Sequence, residues 1–169
     1  MQAMSTAGID PALIQISSVT AGGGIATVRA LFQEYASTLS INLCFQNFAQ
    51  ELATLPGAYA PPRGRLLQAR VVRQSAGCIA LRAMAKGVGE IKRLYVRPEF
   101  RGLGVGKSLV QRVLKEARHI GYRIVRLDTL REMRAAIALY VQFGFVQIAP
   151  YRHGEPDEII YFELDLRRH

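Results

Sequence analysis

The sequence predicts an α/β domain of the α+β kind, a mixed, mostly antiparallel sheet of about seven strands flanked by about four helices. Three features lead there. Apolar residues recur at helical spacing in two early and two late segments, short β-rich runs lie between and after them, and Gly or Pro punctuates most junctions. The 169 residues suit one domain over 1–169, and half of them are hydrophobic, enough to bury a core. No linker, internal repeat or low-complexity tract suggests a second unit.

Leu13 to Ser17 alternates apolar and polar and reads as a first strand, followed by the turn Thr20 to Gly24. Ile25, Val28, Leu31, Phe32, Tyr35 and Leu39 then form one stripe of a helix. Phe45, Phe48, Leu52 and Leu55 repeat the pattern on a shorter helix, stopped by Pro56-Gly57, and Pro61-Pro62 stiffens the loop beyond. Leu66 to Val72, Cys78 to Met84 and Glu90 to Val96 are three strands on short connections, an antiparallel meander. After Pro98 comes a helix carrying Leu109, Val110, Val113, Leu114 and Ala117 on one face, ended by Gly121. Arg123 to Asp128 reads as a buried strand. Thr129 with Glu132 has the form of a capping box, which predicts a helix from Leu130 to Phe143. Phe145 to Ile148 and Ile159 to Leu166 close the chain as strands.

No apolar run approaches the roughly 18 to 20 residues that span a bilayer. Met1 to Asp10 lacks the basic and apolar regions of a signal peptide, so a cytoplasmic location away from membranes is expected. Cys44 and Cys78 have neither metal-ligand nor disulfide-scaffold spacing and read as buried reduced thiols, with no metal site. The net charge is +9. Eighteen of the 22 Lys and Arg lie between Arg63 and Arg134 against five acids, so that segment carries +13 and the remainder −4. A polyanionic ligand there is the reading. Nucleic acid is not, because the aromatic residues do not interleave with the basic ones as base-stacking surfaces require.

The charge centres on Val96-Arg97-Pro98-Glu99-Phe100-Arg101-Gly102-Leu103-Gly104-Val105-Gly106-Lys107-Ser108. A strand runs through alternating glycines into a helix, so unpaired N–H groups of the first helical turn and the helix dipole converge where an anion can sit. The dinucleotide fingerprint Gly-x-Gly-x-x-Gly fails on spacing and on the antiparallel meander before it. The nucleotide loop Gly-x-x-x-x-Gly-Lys-Ser/Thr matches at Gly106-Lys107-Ser108, but its first Gly falls on Arg101.

Arg101 to Gly106 matches in full the motif of Arg or Gln, two residues, Gly, one residue, and Gly or Ala. In this motif, in the order of elements and in Tyr140-Val141-Gln142-Phe143-Gly144-Phe145, the chain resembles the GNAT N-acetyltransferase family over most of its length. The resemblance implies acetyl-CoA, or another acyl-CoA, as cosubstrate, and transfer of its acyl group to a primary amine. It implies that the pantetheine arm lies along Leu94, Tyr95 and Val96. Arg101, Gly102, Leu103, Gly104, Val105, Gly106, Lys107 and Ser108 would hold the pyrophosphate, chiefly through backbone amides. Acyl transfer to an amine needs a base and a proton donor for the leaving thiolate. By position Glu90 resembles the family's general base, acting through water, and Tyr140 the tyrosine that protonates or hydrogen-bonds the thiolate. Strand alternation puts Glu90 on one face with Lys92, Leu94 and Val96. The family commonly has an Asn seven residues before that tyrosine; here Met133 stands there.

Tyr35, Phe45, Asp128 and Tyr151 are the candidate acceptor-binding residues, with Asp128 either holding an ammonium or capping the following helix. His119 and His153 have no triad pattern around them. A small-molecule amine is the favoured acceptor, a protein lysine or N-terminus and a noncatalytic acyl-CoA sensor are the alternatives, and a homodimer is left open.

Overall fold

A computed structural model describes residues 9–168, apart from the side chains of Cys44 and Phe45. The readings of the first eight residues, of the Cys44 thiol and of the Phe45 side chain therefore lie outside the described residues. The chain runs β1 (Ile14–Ser18), α1 (Gly23–Ser37), a 3-10 turn (Leu43–Gln46), α2 (Phe48–Ala53), β2 (Arg65–Val71), β3 (Gln74–Ala85) and β4 (Val88–Val96). It continues through α3 (Val105–Ile120), β5 (Ile124–Leu130), α4 (Arg134–Gln142), β6 (Val146–Ile148) and β7 (Ile159–Asp165).

The seven strands form one sheet in the order β1-β2-β3-β4-β5-β7-β6. Every neighbouring pair is antiparallel except β4 and β5, whose parallel pairing follows from the crossover through α3. The stripe foreseen on α3, Leu109, Val110, Val113, Leu114 and Ala117, is buried in full and, joined by Val105, packs with Leu67, Ile79, Leu81, Ile91 and Leu127 on one face of the sheet. Burying its five large aliphatic side chains contributes on the order of 10 kcal/mol before conformational entropy is set against it. Tyr140 and Phe145 extend that core toward α4. On the opposite face α1 lays Val28, Leu31 and Phe32 against Leu66, Cys78, Ala80 and Tyr95.

Two irregularities of β4 open a site. Its pairing with β5 runs only from Val88↔Ile124 to Ile91↔Leu127, so residues 92–96 have no strand partner on that side among the described residues. Against β3 the register breaks between Cys78↔Tyr95 and Ala80↔Lys92, so Arg93 and Leu94 together stand opposite Ile79, and Arg93 takes φ 60°. This β-bulge bends the strand and shifts its alternation by one. The backbones approach so closely here that a Cβ on Gly77 would stand 2.4 Å from the Tyr95 carbonyl oxygen.

The bulge overturns one expectation. Glu90, Lys92, Arg93 and Tyr95 face α1 and α2, whereas Leu94 and Val96 join Ile91 in the α3 core, so Glu90 does not share a face with Leu94 and Val96. A second correction concerns α4. Thr129 and Leu130 stay in β5, paired with Ile160 and Ile159, and the helix begins only at Arg134, after Met133, without a side-chain cap. Pairing with β7 buries Thr129 and Leu130, which outweighs the local preference for a capping box.

Candidate active site

The α3 N-terminus is built as an anion cradle. Gly102 and Gly104 take φ 77° and 89°, a region costly for residues with a Cβ, and a Cβ on either would project into open space. The first intrahelical bond runs from the Ser108 amide to the Gly104 carbonyl at 3.0 Å. The amides of Gly104, Val105, Gly106 and Lys107 thus have no partner among the described residues, and the helix has no side-chain cap. Ser108 is left with only its hydroxyl for a ligand. Arg101 donates from Nε to the Val96 carbonyl at 2.9 Å, and its guanidinium carbon lies 6.0 Å from the Tyr95 ring centroid, which fixes the turn against the end of β4. Leu103 is half-buried and Val105 buried, so these two anchor the loop by packing while Lys107 stays exposed.

Beside the cradle, on the α1 side of the splay, lies a buried charge network. Lys92 donates from Nζ to Asp128 Oδ1 at 2.7 Å and to Gln46 Oε1 at 3.3 Å, while Gln46 Nε2 donates to Asp128 Oδ2 at 3.1 Å. Arg93 grips Glu51 at 2.9 and 3.1 Å and donates to Gln46 Oε1 at 2.9 Å. Glu90 is wholly buried, and its carboxylate accepts from Arg82 Nε at 2.9 Å, from the Tyr151 hydroxyl at 2.9 Å and from Arg152. Arg152 also places Nη1 3.5 Å from Asp128 Oδ2, tying the loop between β6 and β7 to both strands.

The electrostatics follow from that wiring. Burial alone would raise the Glu90 carboxyl, but Lys92, Arg82 and Arg152 outweigh it and hold it below the usual carboxylate range. Burial likewise opposes ionisation of Asp128, and Lys92 and Arg152 again prevail. Lys92 titrates below an ordinary lysine because burial outweighs Asp128 and Glu90. Tyr140 sits in the α3-side core with its ring centroid 5.6 Å from that of Phe145, and burial drives its phenol far above its ordinary value. Its hydroxyl makes no hydrogen bond among the described residues.

Of the foreseen acceptor residues, Tyr35 and Asp128 line one pocket with Gln46, Lys92 and Leu130, about 340 Å³ counted out to its open mouth. Burial pushes the Tyr35 phenol up to about 12. Tyr151 lies just beyond, bonded to Glu90 and packed on Tyr161 with ring centroids 4.8 Å apart. Asp128 is inside β5 and caps no helix. His119 and His153 are exposed and make no hydrogen bond to this network among the described residues. Sequence reasoning missed Gln46, Glu51, Arg82, Arg93 and Arg152. They come from separate parts of the chain, and only the bulge at Arg93 turns two successive basic side chains toward the same face. No helix among the described residues is long and apolar enough to cross a membrane.

The mixed seven-stranded sheet, with α3 leaving from the end of a bulged β4, is the α/β architecture of solved acyltransferases. The acetyltransferase (GNAT) family profile matches residues 28–145, and the chain belongs to that family. An N-acetyltransferase of Schizosaccharomyces pombe, itself uncharacterized, is 38% identical over 160 residues, covering 94% of this chain and 98% of its own. Among solved structures, an acetyltransferase from Streptococcus agalactiae superposes with a TM-score of 0.75 at 19% identity, covering 90% of this chain and 98% of that one. The YncA structure from Salmonella typhimurium, solved with its cofactor acetyl-CoA, has a TM-score of 0.68 at 18% identity and covers 93% of this chain and 96% of that one. The protein is an acetyltransferase enzyme by family.

Proposed function

We propose that the protein transfers the acetyl group of acetyl-CoA to the primary amine of a small molecule. The observation that carries this reading is the juxtaposition of four unbonded amides at the α3 N-terminus with the unpartnered end of β4, beside a pocket open to the α1 face. The amides of Gly104 to Lys107 suit a pyrophosphate. The free edge at residues 92–96 suits the amide-bearing arm of a pantetheine, which pairs with it as an added strand. The neighbour solved with acetyl-CoA supports the same donor.

Acetyl-CoA supplies a thioester carbonyl. The amine nitrogen attacks it, the C–N bond forms, the C–S bond breaks, and the sulfur leaves as a thiolate. Tyr140, neutral because its phenol is buried and pushed up, donates a hydrogen bond to that sulfur. Glu90 serves as the charge anchor of the network and not as the proton acceptor. A carboxylate already holding three donors and titrating below its ordinary range is a weak base near neutrality. The amine proton leaves to water at the pocket mouth.

Incubation with acetyl-CoA and a panel of amines, read by thiol release, tests this. Release stimulated by small amines is the expected result. Tight acetyl-CoA binding with no amine-stimulated release would replace the enzyme reading with that of a sensor, and release only with peptides would move the acceptor to a protein.

A further inference from the structure

The basic residues between Arg63 and Arg134 do not all gather at the glycine turn. A second positive surface lies at the opposite end of the sheet, where β4 and β5 begin and β7 finishes: register sets Val88 beside Ile124 and Ile124 beside Asp165. The Tyr122 hydroxyl donates to the Arg63 carbonyl at 2.6 Å, the Arg123 amide to the Gly87 carbonyl at 2.8 Å and the Leu166 amide to the Arg123 carbonyl at 2.8 Å. Arg65 also meets Glu116 of α3 at 2.7 Å. These contacts bring together residues 60–65, 85–88, 115–124 and 165–168, which hold eight Lys and Arg against two acids, Glu116 and Asp165. Both acids are taken, Glu116 by Arg65 and Arg112, Asp165 by Arg167 and Arg168. Arg63, Lys86, Lys115, Arg118 and Arg123 are exposed and form no ion pair among the described residues.

A cofactor at the cradle does not explain this charge. At 1.5 Å of rise per residue, Lys115 and Arg118 lie about 16 and 21 Å along α3 from Gly104. Both distances exceed the screening length of about 8 Å at physiological salt. The shape of the surface narrows its partner. Arg65, Lys115, Arg118 and His119, with Glu116, line a hollow of about 820 Å³ counted out to open solvent. A ridge of phosphates enters a hollow, whereas a flat bilayer face stays outside it. Ile120, Tyr122 and Leu166 pack inward on the α3-side core, so this end offers no aromatic platform for unpaired bases and no large apolar side chain to insert into lipid. A duplex asks for neither, because its bases stay stacked inside and it presents a backbone carrying one negative charge per roughly 1.7 Å of axis. Guanidinium groups, three of the five free cations, match phosphate oxygens with paired N–H donors. From these observations we infer that this end of the protein binds duplex nucleic acid through its phosphate backbone, without reading sequence and without competing with acetyl-CoA. The missing aromatic lining that excludes a base-stacking reader leaves this mode intact. The inference goes beyond acetyl transfer and does not rest on it.

The test is fluorescence anisotropy of labelled RNA and DNA duplexes of two helical turns, titrated with the full chain at several salt concentrations. Five cations neutralising one phosphate each give a slope of log affinity against log salt of about −4.5, hence binding about 500-fold weaker in 200 mM than in 50 mM salt. Lys115→Gln combined with Arg118→Gln, at exposed positions of α3 away from the cradle and the acceptor pocket, makes the slope shallower by about two and leaves Tm and thiol release with amines unchanged. Arg63→Gln combined with Lys86→Gln, on two other segments, does the same. Saturating acetyl-CoA leaves the duplex bound. Release by acetyl-CoA would assign the binding to the α3 N-terminus and overturn the inference, as would a slope that neither pair of substitutions moves. Absence of duplex binding at low salt overturns it as well. So does tighter binding to phosphatidylserine vesicles or to a polyglutamate peptide than to either duplex, and each of these results leaves acetyl transfer standing.

Discussion

Replacing Glu90 by Gln separates an anchoring role from that of a base. The carboxylate has no exposed surface and accepts from Arg82, Tyr151 and Arg152, so removing its charge leaves two guanidinium groups facing a neutral amide. Breaking one partner of such a buried pair costs about 3–5 kcal/mol. The side chains of Arg82 and Arg152 are 30% and 27% exposed, and water reaching them relieves part of the cost, so the lower end, about 3 kcal/mol, is expected. For a domain of this size that lowers Tm by about 6–12 °C. The pH dependence has a definite sign. A carboxyl held below its unfolded value of about 4.3 contributes fully above that pH and loses its contribution as pH falls through the folded value. The gap in Tm between wild type and Glu90→Gln is therefore widest near neutrality and narrows in acid. Differential scanning calorimetry from pH 3 to 8 measures it, and the pH profile of kcat/KM is recorded on the same variant. An anchor leaves the acid-side limb of that profile, where a base would become protonated, in place. Loss of the limb together with an unchanged Tm would refute the reasoning and make Glu90 the base.

Four shorter predictions accompany it. On the proposed role of its hydroxyl at the departing sulfur, Tyr140→Phe lowers kcat by about a hundredfold with little change in KM; steady-state kinetics check this. Gly104→Ala strains a position at φ 89° by about 1–2 kcal/mol and disturbs the cradle, so acetyl-CoA binding measured by calorimetry weakens about tenfold. Gly77→Ala drives a Cβ into the Tyr95 carbonyl and costs about 1–3 kcal/mol or more in thermal unfolding, while Val141→Ala on the exposed face of α4 is nearly neutral. Cys78, buried and with its thiol pushed up by burial, resists an aromatic disulfide reagent until the protein unfolds, and labelling followed by peptide mapping reads it out.

The sequence by itself was sufficient for the order of elements, the α3 stripe and the glycine turn. These depend on local rules: helical spacing of apolar residues, strand runs bounded by turn residues, and the backbone freedom needed at Gly102 and Gly104. Where two local signals competed with long-range pairing, tertiary structure prevailed. Thr129 and Glu132 have the letters of a capping box, yet β7 draws Thr129 and Leu130 into the sheet and delays α4 to Arg134. Simple alternation joins Glu90 to Leu94 and Val96, yet the bulge opposite Ile79 parts them and turns Lys92 and Arg93 to one side. A bulge depends on how two strands meet, which no single strand encodes. The charge network depends on it in turn, bringing Gln46, Glu51, Arg82 and Arg152 around Glu90 and Asp128 across separations of up to 82 residues. The glycine turn shows its shape through its own backbone; the surroundings of the neighbouring carboxylates came into being only when the strands assembled into the sheet.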